Sequence, residues 1–440
     1  MNLQKSDILG FRSYARSYPS EEVIVGFELD LKPGIELKKE DIDLRYHAMA
    51  GKVTHFDPKL GKNVTEVWDG SQTFPVRILS FSMAGNTAKI TCCRLATMVE
   101  FDLKLGGTEL HKSDATLIDP EVDCYEKHTY DKNGTKFGYR LFVPKLKAGE
   151  KVPVVLSLHG SGDVADRTNN DSRAPVAESR LGLTFSAETW QKDHPCYVVT
   201  PQYPSLQESY QSKKYQDAYV DIIGELVKNG QADPNRIYCT TLSMGSRIVY
   251  SMLENYPDYF AGMLIHCGNP DKAVLTQVKK TPITIVHMET DGFIPAYFGK
   301  QTFELFNRMG NRNVRLILYP ACYKEMYHLF DAHCSWVMSM EEIGNRNWLF
   351  AQNRGEPGLS ADARPVFTIN YLEVRPDYIV KNGIFYFNVD ELANYLTADV
   401  YEKTADLPAD AVICDGDRKF VKYDVVTQQL NLRLGISYTE

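Results

Sequence analysis

The stretch that most constrains this chain runs Arg236-Ile-Tyr-Cys-Thr-Thr-Leu-Ser-Met-Gly-Ser-Arg-Ile-Val-Tyr250. A short apolar run passes through a tight turn at Ser243 into a segment that sets Ile248, Val249, Met252 and Leu253 on one stripe and ends before Pro257. Strand, turn and helix in that order form a nucleophile elbow, in which a strained turn lifts a serine hydroxyl above a sheet. The helix N-terminus then aims free N–H groups and partial positive charge at the place where an oxyanion would form. The usual string is G-x-S-x-G. Here it reads Thr241-Leu242-Ser243-Met244-Gly245, with the downstream glycine kept and the upstream one replaced by threonine. A bare S-x-G string arises often by chance, and a serine in an ordinary strand-to-helix turn reads the same way, so the partners have to be found independently.

An activated serine needs a base, an acid that orients the base, and donors for the oxyanion. In a doubly wound sheet such groups sit at the carboxyl ends of strands. Apolar runs of the buried parallel kind recur at Val152 to Leu158, Cys196 to Thr200, Ile237 to Thr240, Met263 to His266, Ile283 to Val286 and Val314 to Tyr319. Asp291 lies just past the fifth of these, in a turn closed by Gly292, with Glu289 as the second choice of acid. Two histidines, His328 and His333, follow the sixth; His333 is favoured because a helix-like stretch to Trp348 comes after it. The loop Leu158-His159-Gly160-Ser161-Gly162 after the first run offers one oxyanion donor from Ser161 or Gly162, and Met244 offers the other. His159 reads as a structural hydrogen-bonding residue. Tyr203 and Trp336 are the candidate substrate contacts, a packing role for Tyr203 being equally compatible. The polar segment from Asp163 to Leu183 is expected to overhang the site.

Three regions follow from the changes of pattern. Between Val23 and Leu117 the apolar residues alternate, as in Val23, Val25, Phe27, Leu29 and Leu31, and a Gly85-Asn86 turn joins two strands of a hairpin. Residues 1–120 are therefore expected to form an all-β sandwich of immunoglobulin type. His47, His55 and His111 lie in it without ligand spacing. Residues 121–357 alternate strand and helix, the helix over Asp217 to Val227 presenting Val220, Ile223 and Val227, and predict an α/β doubly wound sheet. After the break at Arg354-Gly-Glu-Pro-Gly358, residues 358–440 read as a small α+β domain with an Asn382-Gly383 turn, a strand from Ile384 to Phe387 and a short helix from Asp390 to Leu396.

Composition excludes several classes. A net charge of −8 argues against nucleic acid or an anionic membrane as partner. No apolar run is long enough for a transmembrane helix. The first residues, Met1-Asn-Leu-Gln-Lys-Ser-Asp, lack the apolar core of a secretion signal, so the expectation is a cytoplasmic protein, or a secreted one whose signal peptide has been removed. Nine cysteines without C-x-x-C spacing read as free thiols, and neither a metal nor an organic cofactor is called for.

His159-Gly-Ser-Gly162, Pro201-Gln-Tyr-Pro204, Asp233-Pro-Asn-Arg-Ile-Tyr238, Leu242-Ser-Met-Gly245, the Asp291 turn and His333-Cys-Ser-Trp336 form a set. It resembles the α/β-hydrolase esterases grouped with polyhydroxybutyrate depolymerases and feruloyl esterases, some of them described as predicted peptidases. The resemblance covers about residues 123 to 354, and the preceding β region is similar in placement to the immunoglobulin-like domain of some of these esterases. It implies an α/β-hydrolase fold and a serine hydrolase of carboxylic esters, with Ser243 as nucleophile, Asp291 as acid and His333 as base. Short acyl esters and acetyl or feruloyl esters of plant polysaccharides are the substrate classes it suggests; homo-oligomerisation is left open. Three departures stand out: Thr241 for glycine, Met288 for a glycine after the strand histidine, and Ser246-Arg247 where small glycines are frequent. The first is expected to strain or narrow the elbow, the others to reshape the acyl pocket. Two rival readings are a serine peptidase acting on short peptides and a degenerate hydrolase that binds a carbohydrate or partner.

Overall fold

The structure is a computed structural model. It describes every residue except 1–2, 19–20, 58–61, 148, 169–171, 207–211, 271–279, 309–310, 312, 328, 330, 355–364, 370–371, 375–376, 382–383, 393–406, 408–410, 423–424, 426–433 and 439–440. The chain divides into two compact units, Met1–Tyr125 and Glu126–Glu440.

In the first unit the alternating pattern produces two sheets that share one core, and Gly51–Asp57 and Lys62–Trp68 form a separate two-stranded pair. Glu21–Leu31 pairs antiparallel with Ile8–Tyr18 and with Thr87–Ala96, and Thr116–Ile118 and Ile78–Ala84 complete a five-stranded sheet. Four strands, Thr108–His111, Phe101–Leu105, Ile42–His47 and Thr73–Pro75, make the second sheet. Phe27 of the first sheet meets Phe101 of the second at 5.1 Å in an edge-to-face contact, with Leu29, Leu44, Ile90 and Leu103 buried around them. Gly85 takes φ +61° at the expected hairpin turn. The fold also joins two histidines that the sequence leaves apart: His47 Nε2 and His111 Nδ1 each lie 2.7 Å from one oxygen of Asp102. That carboxylate raises the pKa of His111.

The second unit opens with strands β1 (Glu126–Lys132) and β2 (Thr135–Phe142), joined at Asn133 and Gly134, both with positive φ as a two-residue hairpin turn requires. Then come β3 (Val152–Leu158), β4 (Tyr197–Pro201), β5 (Ala232–Leu242), β6 (Gly262–His266), β7 (Ile283–Met288) and β8 (Val314–Tyr319). Every residue of β3, β4, β6 and β7 is buried, which is why these runs read as continuously apolar rather than alternating. Three further strands, β9 (Pro365–Ile369), β10 (Leu372–Val374) and β11 (Leu434–Tyr438), extend the sheet to the order β1-β2-β4-β3-β5-β6-β7-β8-β11-β9-β10. Pairing is parallel from β4 through β3 and β5 to β8, and antiparallel at both ends.

Helices α1 (Lys213–Lys228), α2 (Met244–Asn255), α3 (Ala296–Arg308), α4 (Ser335–Glu341) and α5 (Ile343–Phe350) follow β4, β5, β7 and β8. The buried face of α1 differs from the expected one. Tyr215, Ala218, Tyr219, Ile222 and Ile223 are buried, whereas Val220 and Val227 are only partly so. The helix begins earlier than the aliphatic pattern suggests, and its two tyrosine rings reach Phe137 of β2 at 6.0 and 5.7 Å. In the stretch expected as an α+β domain, Tyr378–Lys381, Ile384–Asn388, Arg418–Lys422 and Val412–Asp415 make a four-stranded sheet beside the short helix Val389–Leu392. Phe387, Leu392 and Val421 belong to the same apolar core cluster as the large sheet. The expected linker from Gly355 to Gly358, the Asn382-Gly383 turn and the end of the expected helix lie outside the described residues. Among the described residues no helix is long and apolar enough to cross a membrane.

Candidate active site

Ser243 stands between the end of β5 and the first residue of α2, with φ +51° and ψ −115°. A non-glycine residue held there stores roughly 1–3 kcal/mol and persists only if its surroundings over-determine it. The glycine after it explains half of the fit. A Cβ on Gly245 would lie 2.3 Å from the Leu158 carbonyl oxygen and 2.8 Å from that of His159, so the start of α2 rests directly on the end of β3. As the first helical residue, Met244 has an N–H without an intrahelical acceptor.

The other half comes from His266, at the end of neighbouring β6. Its carbonyl oxygen accepts from the Ser243 N–H at 3.1 Å and from the Ser246 hydroxyl at 2.8 Å. Its fully buried ring stands 2.7 Å from the Thr241 carbonyl through Nδ1 and 3.0 Å from Ser339 Oγ through Nε2. A carbonyl can only accept, so Nδ1 carries the proton. Burial lowers this imidazole to about 4, leaving it neutral near pH 7. The replacement at position 241 fits the same arrangement: the buried Thr241 hydroxyl lies 2.8 Å from Ser246 Oγ.

Past the end of β7 the chain turns sharply around Asp291. One carboxylate oxygen, Oδ1, accepts from the Phe293 and Ile294 N–H groups at 2.9 Å each; the other, Oδ2, lies 2.8 Å from His333 Nδ1. The Asp291 side chain is fully buried and that of His333 is 15% exposed. The loop carrying His333 is itself tied down, with its N–H donating to Asp331 Oδ1 at 2.7 Å. Glu289, the second choice of acid, donates its N–H to the Tyr319 carbonyl while Asp291 takes the imidazole. His328 lies outside the described residues.

Cys267, next after His266, connects the two halves and had no signal in the sequence beyond its place at a strand end. Its buried sulfur lies with an Asp291 carboxylate oxygen and a His333 ring nitrogen inside a 4.8 Å group. Burial, and then the Asp291 charge, push this thiol well above its usual pKa, while the Ser243 main chain beside it acts in the opposite sense. Sulfur, carboxylate and imidazole are donors a zinc ion accepts. Here, however, Asp291 has both oxygens engaged and His333 Nδ1 is paired with one of them, the arrangement of an oriented base.

The loop after β3 lies against the elbow. A Cβ on Gly160 would stand 2.5 Å from Leu242 Cδ1 and 3.7 Å from Ser243 Cβ, so the glycine allows the approach. Ser161 and Gly162 follow in a short 3-10 turn, half-buried and exposed respectively, with open space around Gly162. His159 holds this loop in place. Its Nε2 accepts from the Tyr203 N–H at 2.9 Å, its Nδ1 meets the Gly160 carbonyl at 2.6 Å, and burial lowers it to about 4.

The two expected substrate contacts are placed differently. The Tyr203 ring is buried in the core, 4.5 Å from that of Tyr215, so its side chain packs rather than lining an opening. Trp336 is 7% exposed and meets the His333 ring edge to face at 6.1 Å. The segment expected to overhang the site is largely packed into the body: Ala174 to Ala177, Leu181 and Leu183 are buried, and Arg140 donates to Ser172 Oγ at 3.0 Å. Its few apolar residues, spaced too irregularly to read as a helix, are what draw it inward.

No family model matches the chain, and no curated protein matches it. Solved structures do. The crystal structure of a thermostable esterase is 22% identical, with 78% of this chain and all of that one aligned at a TM-score of 0.60. An acylaminoacyl peptidase complexed with Z-Gly-Gly-Phe-chloromethyl ketone is 13% identical over 79% of this chain and 64% of its own, at 0.40. Est1E from Butyrivibrio proteoclasticus is 15% identical over 50% and 99%, at 0.35. The likeness to the thermostable esterase shows the fold, an α/β-hydrolase.

Proposed function

We propose that the second unit is a serine hydrolase of carboxylic esters that works through an acyl-enzyme. The observation that carries this reading is the Asp291–His333 pair at 2.8 Å, linked through Cys267 and His266 to a serine held at positive φ. His333 Nε2 takes the Ser243 proton as Oγ forms a bond to the ester carbonyl carbon, whose oxygen gains the electron pair of the C=O bond. That oxyanion is met by the N–H of Met244 and of Ser161 or Gly162. When the carbonyl reforms, the C–O bond to the alcohol breaks and His333 returns the proton to the leaving oxygen. Water, deprotonated by the same imidazole, then resolves the acyl-enzyme. Asp291 keeps the Nδ1–H tautomer and stabilises the imidazolium.

The substrate is a small-molecule or polysaccharide-linked ester, and the first unit is read as an immunoglobulin-like accessory domain. A threonine in place of the usual glycine favours a degenerate site, but the satisfied Thr241 hydroxyl supports an elbow that tolerates the replacement. The test is hydrolysis of nitrophenyl acetate, butyrate and octanoate by the intact chain beside Ser243→Ala. Turnover that depends on chain length and disappears in the folded variant is expected. Equal turnover in both would remove Ser243 from the mechanism. Cleavage of aminoacyl amides without ester turnover would favour a peptidase.

A further inference from the structure

Phe293 is 70% exposed, and its ring centroid lies 5.4 Å from that of His333. A single apolar side chain on a surface needs no explanation. This one differs in how it is held. Asp291 Oδ1 accepts the Phe293 N–H and Oδ2 meets His333, so one buried carboxylate sets both the turn that carries the phenyl ring and the imidazole beside it. Trp336 meets the same imidazole edge-on and is buried, so of these two aromatic neighbours it is Phe293 that faces solvent.

The position has a chemical meaning that rests on the reading given under Proposed function. His333 protonates the departing alcohol, so that alcohol must sit beside the outer nitrogen of the imidazole when the C–O bond breaks. A ring centred 5.4 Å from the imidazole is within reach of a leaving group held at that nitrogen. A flat apolar ring contributes most to a partner with a flat face of its own, stacked or edge-on.

We propose that Phe293 is the specificity-determining contact for the alcohol portion of the ester, and that this portion carries a ring with a flat apolar face. An aryl ring and the C–H face of a pyranose share that chemistry. Ethyl acetate is the matched control: it has the same acyl group, and its alcohol has an acidity close to that of benzyl alcohol.

The experiment measures kcat/KM of the full chain on benzyl acetate, on a mono-acetylated methyl pyranoside and on ethyl acetate, for the wild type, Phe293→Ala and Phe293→Tyr. Phe293→Ala is expected to lower the selectivity for a ring-bearing ester over ethyl acetate about tenfold, the size of an aromatic pair interaction. Phe293→Tyr is expected to keep it. A loss confined to benzyl acetate assigns an aryl alcohol, and one confined to the acetylated glycoside assigns a sugar. An unchanged ratio, or an equal fall on all three esters, overturns the inference. Labelling of the wild type by a fluorophosphonate separates the two levels: labelling at Ser243 with an unchanged ratio removes only the role of Phe293. Absence of labelling in the folded chain removes the serine hydrolase reading and this inference with it.

Discussion

Thr241 Oγ1 and Ser246 Oγ lie 2.8 Å apart across the elbow, both fully buried, one at the end of β5 and the other in the first turn of α2. The Ser246 hydroxyl donates to the His266 carbonyl, so the Thr241 hydroxyl is the donor of the pair. Two departures from the usual glycine-rich string thus satisfy each other, and together they span the strained residue between them.

The donor order makes the two truncations unequal. Ser246→Ala strands a buried threonine hydroxyl and should cost roughly 2 kcal/mol, whereas Thr241→Val leaves the serine bonded to His266 and should cost about 1 kcal/mol or less. Urea denaturation of both variants and the double variant checks this. A coupling energy near zero would show that the pair does not act as a unit.

The backbone at Ser243 predicts a second asymmetry. At φ +51° and ψ −115° only glycine is free of steric cost, so Ser243→Gly should be more stable than Ser243→Ala by about 1 kcal/mol, after allowing for the greater freedom of glycine in the unfolded chain. Thermal melts of the two variants side by side decide it. Alanine at or above glycine would mean that the turn is unstrained.

Asp291→Asn preserves size and the two backbone contacts of Oδ1 but turns an N–H towards His333 Nδ1. The imidazole must then accept at Nδ1 and carry its proton on Nε2, where it cannot receive one from Ser243. Ester turnover is expected to fall about 10³- to 10⁴-fold, with little change in melting temperature. A loss of less than tenfold would point to another orienting group.

His159, His266 and His287 are each lowered to about 4, with burial as the first cause. Above pH 6.5 they are neutral in both folded and unfolded chains. As pH falls from about 6.5 towards 4 the unfolded chain takes up protons that the folded one refuses, so their stabilising contribution is lost across that window. Near pH 5 these three histidines should together add the uptake of approaching three protons to unfolding, and the fall in stability measured by denaturation at pH 7, 6 and 5 should be shallower in a variant that lacks one of them. His266→Gln should reduce that uptake by about one. An uptake unchanged in this variant would place the His266 pKa near its ordinary value.

Much of the second unit could be read directly from the residues. The runs Val152 to Leu158 and Val314 to Tyr319 coincide with β3 and β8, because a strand buried on both faces must be apolar at nearly every position. The elbow was readable because its signal lies within a few residues: a strand end, a serine, a glycine that lets a helix start close to the sheet. Asp291 and His333 were singled out from where strands end, and the structure pairs them at 2.8 Å. Helix α1 shows where such reading stops. Its aliphatic residues suggested one face, and the tyrosines Tyr215 and Tyr219 took the core because the Phe137 ring on β2 was there to receive them.

What the residues determined by themselves is thus what short-range physics determines: the period of the strands, the turns, the elbow, and the alternation that separates an all-β unit from an α/β one. The tertiary structure decided the rest. It made His266, ordinary in sequence, the support of the elbow; it set Cys267 against Asp291 and His333, buried Tyr203, and fixed Phe293 beside the imidazole. Each of these depends on which strand lies next to which, and β5, β6 and β7 become neighbours only when the sheet assembles. A contact between residues far apart in the chain leaves no periodicity to read, because its energy appears only after the connecting segments have been ordered.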